Sequence, residues 1–413
     1  MMDSIGNSFL AVVLPLYIAS GVISGGTLGL SVSLITGIII SAFGFLNSIG
    51  QVFTGRWSDR LGNRKLFIVT GLAILAIANF AYTFSGSYVV TLVIRAIQGV
   101  GVAFTVPATI ALVNELSTDA NRGGSMGTFN TFRLLGFGIG PMVAGGVVSA
   151  GPYSILGFSL TGFDAAFYIA TIGAALGAVL VLALVADSEN THAEAGDDIS
   201  VAVFDHDGDH LLDPIFALGV ASLFMAVGIA FFSTIQTEIN THLNQGATLF
   251  GIEFGAFVIS QVLLQTPIGK ASDEYGRRSF ILAGLVVLIP ATLAQGLVTT
   301  PLFMIAARAI QGIAGAMVFA PALALAGDLA GEGQSGSQLS VLTMAFGLGS
   351  AIGPLSSGFL VSYGFIYPFA FAAVLALVGA VIVYTQVEEP THGSSDTPSR
   401  SEATFTAASA NDD

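Results

Sequence analysis

Twelve long apolar runs, each ended by Gly, Pro, Asn or charge, leave this chain little choice but to fold across a lipid bilayer. They fall at residues 5–24, 32–54, 66–84, 88–114, 123–150 and 163–186, then at 214–237, 247–268, 280–299, 301–327, 335–362 and 366–386. A hydrocarbon core ~30 Å thick takes about 20 residues per helix, so twelve spans use roughly 240 residues of the 413 and leave the rest for turns and tails. Only 9% of residues are charged, against about 25% in a soluble domain, and the mean hydropathy is +0.83. The 51 glycines suit membrane helices whose backbones approach closely. The chain has no cysteine, which excludes disulfides and thiolate metal or iron–sulfur chemistry. It opens Met1-Met2-Asp3 and turns apolar without a basic leader, so the first run is expected to be a helix rather than a cleaved signal.

The runs form two copies of one block. Gly55 opens GRWSDRLGNR and Gly269 opens GKASDEYGRR, 214 residues later. Arg95 opens RAIQGVGVAFTVPA and Arg308 opens RAIQGIAGAMVFAPA, 213 residues later, the spacing that also separates Gly140-Pro141 from Gly353-Pro354. Three motifs at offsets of 213 or 214 residues imply a six-helix unit duplicated in parallel. The expected architecture is an all-α polytopic membrane protein with twelve transmembrane helices in two pseudo-twofold bundles. Residues 1–187 and 213–387 form the bundles, 188–212 an acidic linker, and 388–413 a tail with the composition of disorder. The basic loop residues Arg56, Arg60, Arg64, Lys65, Arg122, Lys270, Arg277 and Arg278 share one side of that arrangement, which places both termini in the cytoplasm of a cell-membrane protein.

The first of these motifs resembles the signature of the major facilitator superfamily, Gly-x-x-x-Asp-Arg-x-Gly-Arg-Arg between helices two and three. Here it reads Gly55, Asp59, Arg60, Gly62, Asn63 and Arg64, and the second copy keeps Gly269, Asp273, Gly276, Arg277 and Arg278. Asn63 and Glu274 depart from the pattern. Glycines permit a tight turn, and a carboxylate near a helix end can meet both the helix dipole and arginines. The resemblance implies a latch at the cytoplasmic face that favours the outward-open state. Arg95 and Gln98 resemble the family's second motif, with Arg308 and Gln311 as repeat mates. An arginine in hydrocarbon costs ~2.5 kcal/mol or more and must find partners inside the bundle. The resemblance implies proton transfer for Arg95 and Arg308; a cation satisfied by backbone carbonyls is the other reading. Gly136, Gly140, Pro141 and Gly145 resemble the Gly-x-x-x-Gly-Pro-x-x-Gly-Gly motif of drug:proton antiporters, with Ala144 in place of one glycine.

Three further features bear on chemistry. Arg133 sits about eleven residues into helix five, ~16 Å deep at ~1.5 Å per residue, with no acid assigned to that depth. It and the glutamines Gln98 and Gln311 are substrate-cavity candidates. Arg133 either favours an anionic or neutral substrate or pairs with Glu115 or backbone. Glu253, one turn into helix eight and near its outer end, is a candidate proton carrier or a helix-boundary cap. Asp205-His-Asp-Gly-Asp-His210 resembles a metal loop but lacks the glycine and carboxylate an EF-hand requires, and no metal site is expected.

No phosphate-cradling Gly-x4-Gly-Lys-Ser/Thr loop occurs, so an ion gradient, protons first, rather than ATP or a bound cofactor is expected to supply energy. Proton-coupled efflux of a small organic molecule by a monomer is the expected function, with lipid and substrate as partners and no nucleic acid. Proton- or sodium-coupled uptake of an organic anion is the alternative within the class, and a non-transporting membrane sensor the alternative outside it. An enzyme is not expected, since the five histidines lie apart in linker, tail and one external loop.

Overall fold

The computed structural model describes residues 2–27, 29–117, 122–155, 157–186, 203–204, 211–329 and 335–389. Thirteen helices are found among them: α1 (Met2–Ala19), α2 (Val32–Leu61), α3 (Arg64–Ala81), α4 (Tyr88–Glu115), α5 (Arg122–Ala150), α6 (Gly162–Leu184), α7 (Pro214–Ala230), the short α8 (Gln236–His242), α9 (Ala247–Tyr275), α10 (Arg277–Gln295), α11 (Pro301–Leu329), α12 (Ser335–Leu360) and α13 (Tyr367–Gln386). Eleven of the described segments are long and apolar enough to cross a bilayer, and α1 is apolar over the shorter stretch Ser8–Ala19. With α1, the twelve expected spans are accounted for.

Two differences from the sequence reading matter below. The helices outrun the apolar runs: α2 continues to Leu61 and α9 to Tyr275, so the signature residues ride on the last turns of these helices. The run expected as one span at 214–237 is broken, because a 3-10 turn at Phe231–Ser233 ends α7 before α8 begins. A small hairpin, Tyr153–Ile155 with Phe158–Leu160, links α5 to α6. The Asp205–His210 run and the tail beyond residue 389 lie outside the described residues.

Packing repeats the sequence duplication. In the first lobe (α1–α6), α1 packs on α5 and α6, α3 on α4 and α6, and α2 on α4. In the second (α7–α13), α7 packs on α12 and α13, α10 on α11 and α13, and α9 on α11. Between lobes, α2 lies against α12 and α5 against α9. We call the side carrying the α2–α3 and α9–α10 turns the basic face, and the other the far face.

The buried apolar side chains fall into three clusters that follow this geometry. One lies toward the far face and joins both lobes, bringing Phe9, Leu14 and Phe167 together with Phe232, Phe250 and Phe369. The other two lie toward the basic face and each stays within one lobe, around Phe67 and Leu112 in the first and Leu285 and Leu325 in the second. In lipid such cores are held by dispersion and close packing rather than by expulsion of water. The lobes therefore cohere at the far face, and their cores stay separate toward the basic face.

Candidate functional site

At the basic face each lobe builds an ion triad from its signature motif. Gly62, at φ 63°, ends α2, and Asn63 caps α3 by accepting from Leu66 N at 3.0 Å. Asn63, a departure from the family pattern, thus acts as a helix cap. Arg64, the first residue of α3, is almost wholly buried. Its guanidinium forks onto Glu115 Oε1 at the end of α4 (3.0 and 2.8 Å), pairs with Asp59 Oδ1 at 2.5 Å and donates to Ser58 Oγ at 2.9 Å. The second lobe repeats this with Arg277, which pairs with Asp273 Oδ1 at 3.0 Å and with Asp328 on α11.

Repeat spacing matches Arg64 to Arg278, yet Arg277 takes the role, because α10 starts at Arg277 directly after Gly276 (φ 99°). Both triad arginines are thus the first residue of their helix. Arg278 donates to Tyr384 O at 2.6 Å, and Glu389 accepts from the backbone N–H groups of Arg277 and Arg278, both at 2.7 Å. Arg60 is exposed, and no neighbouring element packs closely on Gly55 or Gly269: a methyl on Gly55 would meet Pro107 at 3.8 Å, and one on Gly269 nothing within 4 Å. Glu115, Asp328 and Glu389 escaped the sequence reading as motif partners, although Glu115 and Asp328 stand at the 213-residue repeat spacing. The pairs of Arg64 with Asp59 and Glu115, and of Arg277 with Asp273 and Asp328, all stay within a lobe.

Toward the far face the lobes meet in two mirrored seams of small residues. On one, the Gly140-Pro141 break of α5 lies against α9: a methyl placed on Gly251 would strike Pro141 O, one on Gly145 would strike Ala247 O, and one on Gly138 would come to 3.2 Å from Val258. On the other, Gly353-Pro354 of α12 lies against α2. There a methyl on Gly37 would come to 2.5 Å from Pro354 O, one on Gly358 would strike Ser33 O, and one on Gly44 would come to 2.7 Å from Ala351. Gly251–Pro141 and Gly37–Pro354 are repeat mates, as are Gly145–Ala247 with Gly358–Ser33 and Gly138–Val258 with Gly44–Ala351. Hydrogen bonds join the lobes here too: Ser41 Oγ to Ala351 O at 2.6 Å, Thr248 Oγ1 to Ser149 Oγ at 3.1 Å, and Ser33 Oγ to Glu238. The small-residue motif of helix five is thus half of a contact surface between lobes. Gly136 instead faces α1, its carbonyl accepting from Ser8 Oγ at 3.1 Å.

Each lobe also buries one arginine node. In the first, Arg95 Nη1 and Tyr82 Oη both donate to Gln98 Oε1 at 2.9 Å, Gln98 Nε2 donates to Asn79 Oδ1 at 2.5 Å, and the Arg95 guanidinium lies 4.3 Å from the Phe43 ring centroid. In the second, Arg308 donates to Gln311 Oε1, whose amide donates to Gly228 O (2.9 Å) and Thr292 Oγ1 (3.2 Å). The Arg308 guanidinium lies 4.1 and 4.7 Å from the ring centroids of Phe232 and Phe257, a favourable cation–π setting. The partners these arginines have are side chains and aromatic faces, not backbone carbonyls, and Arg95 Nε and Arg308 Nε and Nη2 are left without a hydrogen bond.

Of the two readings of Glu253, the structure removes the helix-boundary cap. It lies in the second turn of α9, 0% exposed, and caps nothing: neither carboxylate oxygen has a hydrogen-bond partner. Amides beyond a helix's first turn already have intrahelical acceptors, so a boundary role is closed to it. The close approach of Gly312 to Phe257 puts α9 and α11 in parallel register and Glu253 level with Arg308. An acid does therefore lie inside the lobe. Arg133 is half-buried on α5, about two turns closer to the basic face, and Glu115, one partner considered for it, is engaged by Arg64. Among the described residues no group of three or more His, Cys, Asp or Glu side chains is arranged to hold a metal.

Comparisons with known proteins agree with this architecture. The family model described as Major Facilitator Superfamily matches residues 1–232 and again 216–409, one match per lobe. Multidrug resistance protein 2 of Bacillus subtilis is 26% identical over 392 residues, covering 91% of this chain and 90% of that protein. An uncharacterized MFS-type transporter of Methanocaldococcus jannaschii is 24% identical over 387 residues, covering 93% and 95%. A bacterial homologue of the human lysosomal transporter Spinster, solved in an inward-facing and occupied conformation, superposes with a TM-score of 0.76 at 14% identity, covering 93% of each chain.

Proposed function

Because the chain belongs to the major facilitator superfamily, and so is a multi-pass membrane transporter and not an enzyme, we propose that it exports a small organic molecule in exchange for protons by alternating access. The basic face is cytoplasmic under the positive-inside rule, which puts both termini on the cytoplasmic side of the cell membrane, and the transporter works as a monomer without a bound cofactor. What carries this reading is the pair of mirrored seams. They close the far face through the helix-five motif and its repeat mate, while the lobe cores stay separate toward the basic face. This is the arrangement of a cavity loaded from the cytoplasm. Opening the seams while the ion-triad ends of α2 and α9 approach their opposite lobes would deliver substrate outward, a rocking motion of two rigid bundles. The similarity to a multidrug resistance protein supports the efflux direction.

Purified protein in liposomes, given an imposed pH gradient and a panel of organic cations, neutral amphiphiles and organic anions, tests it. Substrate moving against the proton flux supports antiport. Substrate moving with the protons favours the second reading, uptake of an organic anion, which rests on half-buried Arg133.

A further inference from the structure

The two lobes have the same arginine node, but only one has an acid. Repeat spacing matches Phe43 to Phe257, Asn79 to Thr292, Tyr82 to Gln295, Arg95 to Arg308 and Gln98 to Gln311; at Glu253 the first lobe has Ile39, an apolar residue buried in its core. The first lobe thus shows what an arginine here requires: a glutamine, a polar neighbour from α3 and an aromatic face, with no carboxylate. Glu253 is surplus to holding Arg308 in place.

It is also costly. Burying a carboxylate without hydrogen bonds is unfavourable by several kcal/mol unless it is neutralised or hydrated. Within the equivalent residues of the first lobe, Arg95 Nε is the one orphaned polar atom among those described. The second lobe has five: both Glu253 oxygens, Arg308 Nε and Nη2, and Gln295 Oε1. Arg308 lies within electrostatic reach of Glu253 but makes no ion pair with it.

We propose that Glu253 carries the coupling proton, with Arg308 as its fixed counter-charge, so that the second lobe handles the ion. This deepens the antiport reading and rests on it. With Glu253 ionised, the carboxylate and the Arg308 guanidinium offset each other's charge. Taking a proton from hydronium on the outside leaves a neutral acid, one water, and an arginine still held by the rings of Phe232 and Phe257 and by Gln311. Releasing that proton to water on the cytoplasmic side restores the pair.

The geometry ties this switch to the gate. Gly251 and Gly255 face α5 across a seam, whereas Glu253, two residues from each and so ~200° around the helix from both, faces α11. A change of charge on one side of α9 thus alters the seating of its other side. The elements packed on α9 bring few competing groups. Gln245 faces Glu253 from the α8–α9 turn, Glu238 and His242 of α8 bond to Ser33 and Val298 O, and Arg133 of α5 lies about two turns away. Arg277 and Arg278 of α10 lie at the basic face, and the described side chains of α1 carry no charge, Tyr17 being their one titratable group.

Infrared difference spectra of the full-length protein in liposomes, recorded against pH, read the acid directly. The expected result is a buried carboxylic C=O band that titrates, is absent in Glu253→Gln, and is shifted but retained in Glu253→Asp. In the transport assay Glu253→Gln should lose pH-gradient drive while still exchanging substrate. A titrating band unchanged in Glu253→Gln, or no titrating band in the wild type, overturns the assignment. A band that behaves as expected alongside transport indifferent to the pH gradient leaves the titration standing and defeats the antiport reading instead, and with it the coupling role.

Discussion

Adding one methyl group at Gly251 should move the transporter toward a form open at the far face. The Cβ of Gly251→Ala would strike Pro141 O and sit 3.1 Å from Met142 Cα. Both obstacles are helix backbone, with no side chain that can rotate aside, so the strain is relieved mainly by parting α5 from α9. Overpacking of this kind costs ~1–3 kcal/mol, which corresponds to a ~5–150-fold fall in the ratio of far-face-closed to far-face-open molecules. The repeat mate Gly37→Ala, whose Cβ would come to 2.5 Å from Pro354 O, should act in the same direction. Gly146, with nothing within 4 Å of its would-be Cβ, supplies a control beside Gly145. Since the chain has no cysteine, Ser149→Cys with Thr248→Cys gives a clean pair, the native hydroxyls being 3.1 Å apart, and the extent of oxidative cross-linking in membranes reports closure. Gly251→Ala should cut cross-linking severalfold while Gly146→Ala leaves it unchanged. Equal cross-linking in the two variants would refute the claim that the seam sets the gate.

Three other outcomes are expected. Arg64→Lys should lower the melting temperature in detergent, because lysine cannot fork onto Glu115 while reaching Asp59. Lysine keeps the charge but loses part of the fork, and a hydrogen bond to a charged group is worth ~1.5–3 kcal/mol, so a loss of about 2 kcal/mol is expected; a wild-type melting temperature would contradict it. Asp59→Asn should reduce turnover with membrane insertion intact, and unchanged turnover at normal expression would count against a gating role for the triad. Arg133→Ala should impair transport of anionic substrates if the cavity uses that cation, and indifference across a panel of organic anions would retire the uptake reading.

The fold was legible because lipid imposes a coarse rule: runs of about twenty apolar residues must become spans, and a repeat at constant offset must become two similar lobes. Details governed by local helix ends were not legible. The first motif's offset of 214 assigns Arg278 to the role that Arg277 fills; the fall to 213 by the second motif signals a one-residue shift between the two but not where it lies, and α10 starts one residue earlier than α3 does in its own copy. The break at Phe231–Ser233 is hidden within a continuous apolar run. Glu253 lies near the outer end of its helix as expected, but its burial was not legible: distance from the end of an apolar run says nothing about which helix face a residue occupies, and it is the parallel register with α11 that buries it beside Arg308. Glu115 and Asp328 could have been found, as the two acids that recur at the spacing of the arginine motifs.

The most direct test of alternating access uses pulsed electron–electron distance measurements on two spin-label pairs that span the lobes. One joins exposed Arg60 on α2 to Tyr275 on α9 at the basic face, and the other joins Phe84 after α3 to Tyr363 after α12 at the far face. As pH and substrate are varied, the first distance should shorten as the second lengthens, in the same fraction of molecules. Distances that change together, or a far-face pair that stays fixed while transport proceeds, would contradict two rigid lobes rocking about the small-residue seams.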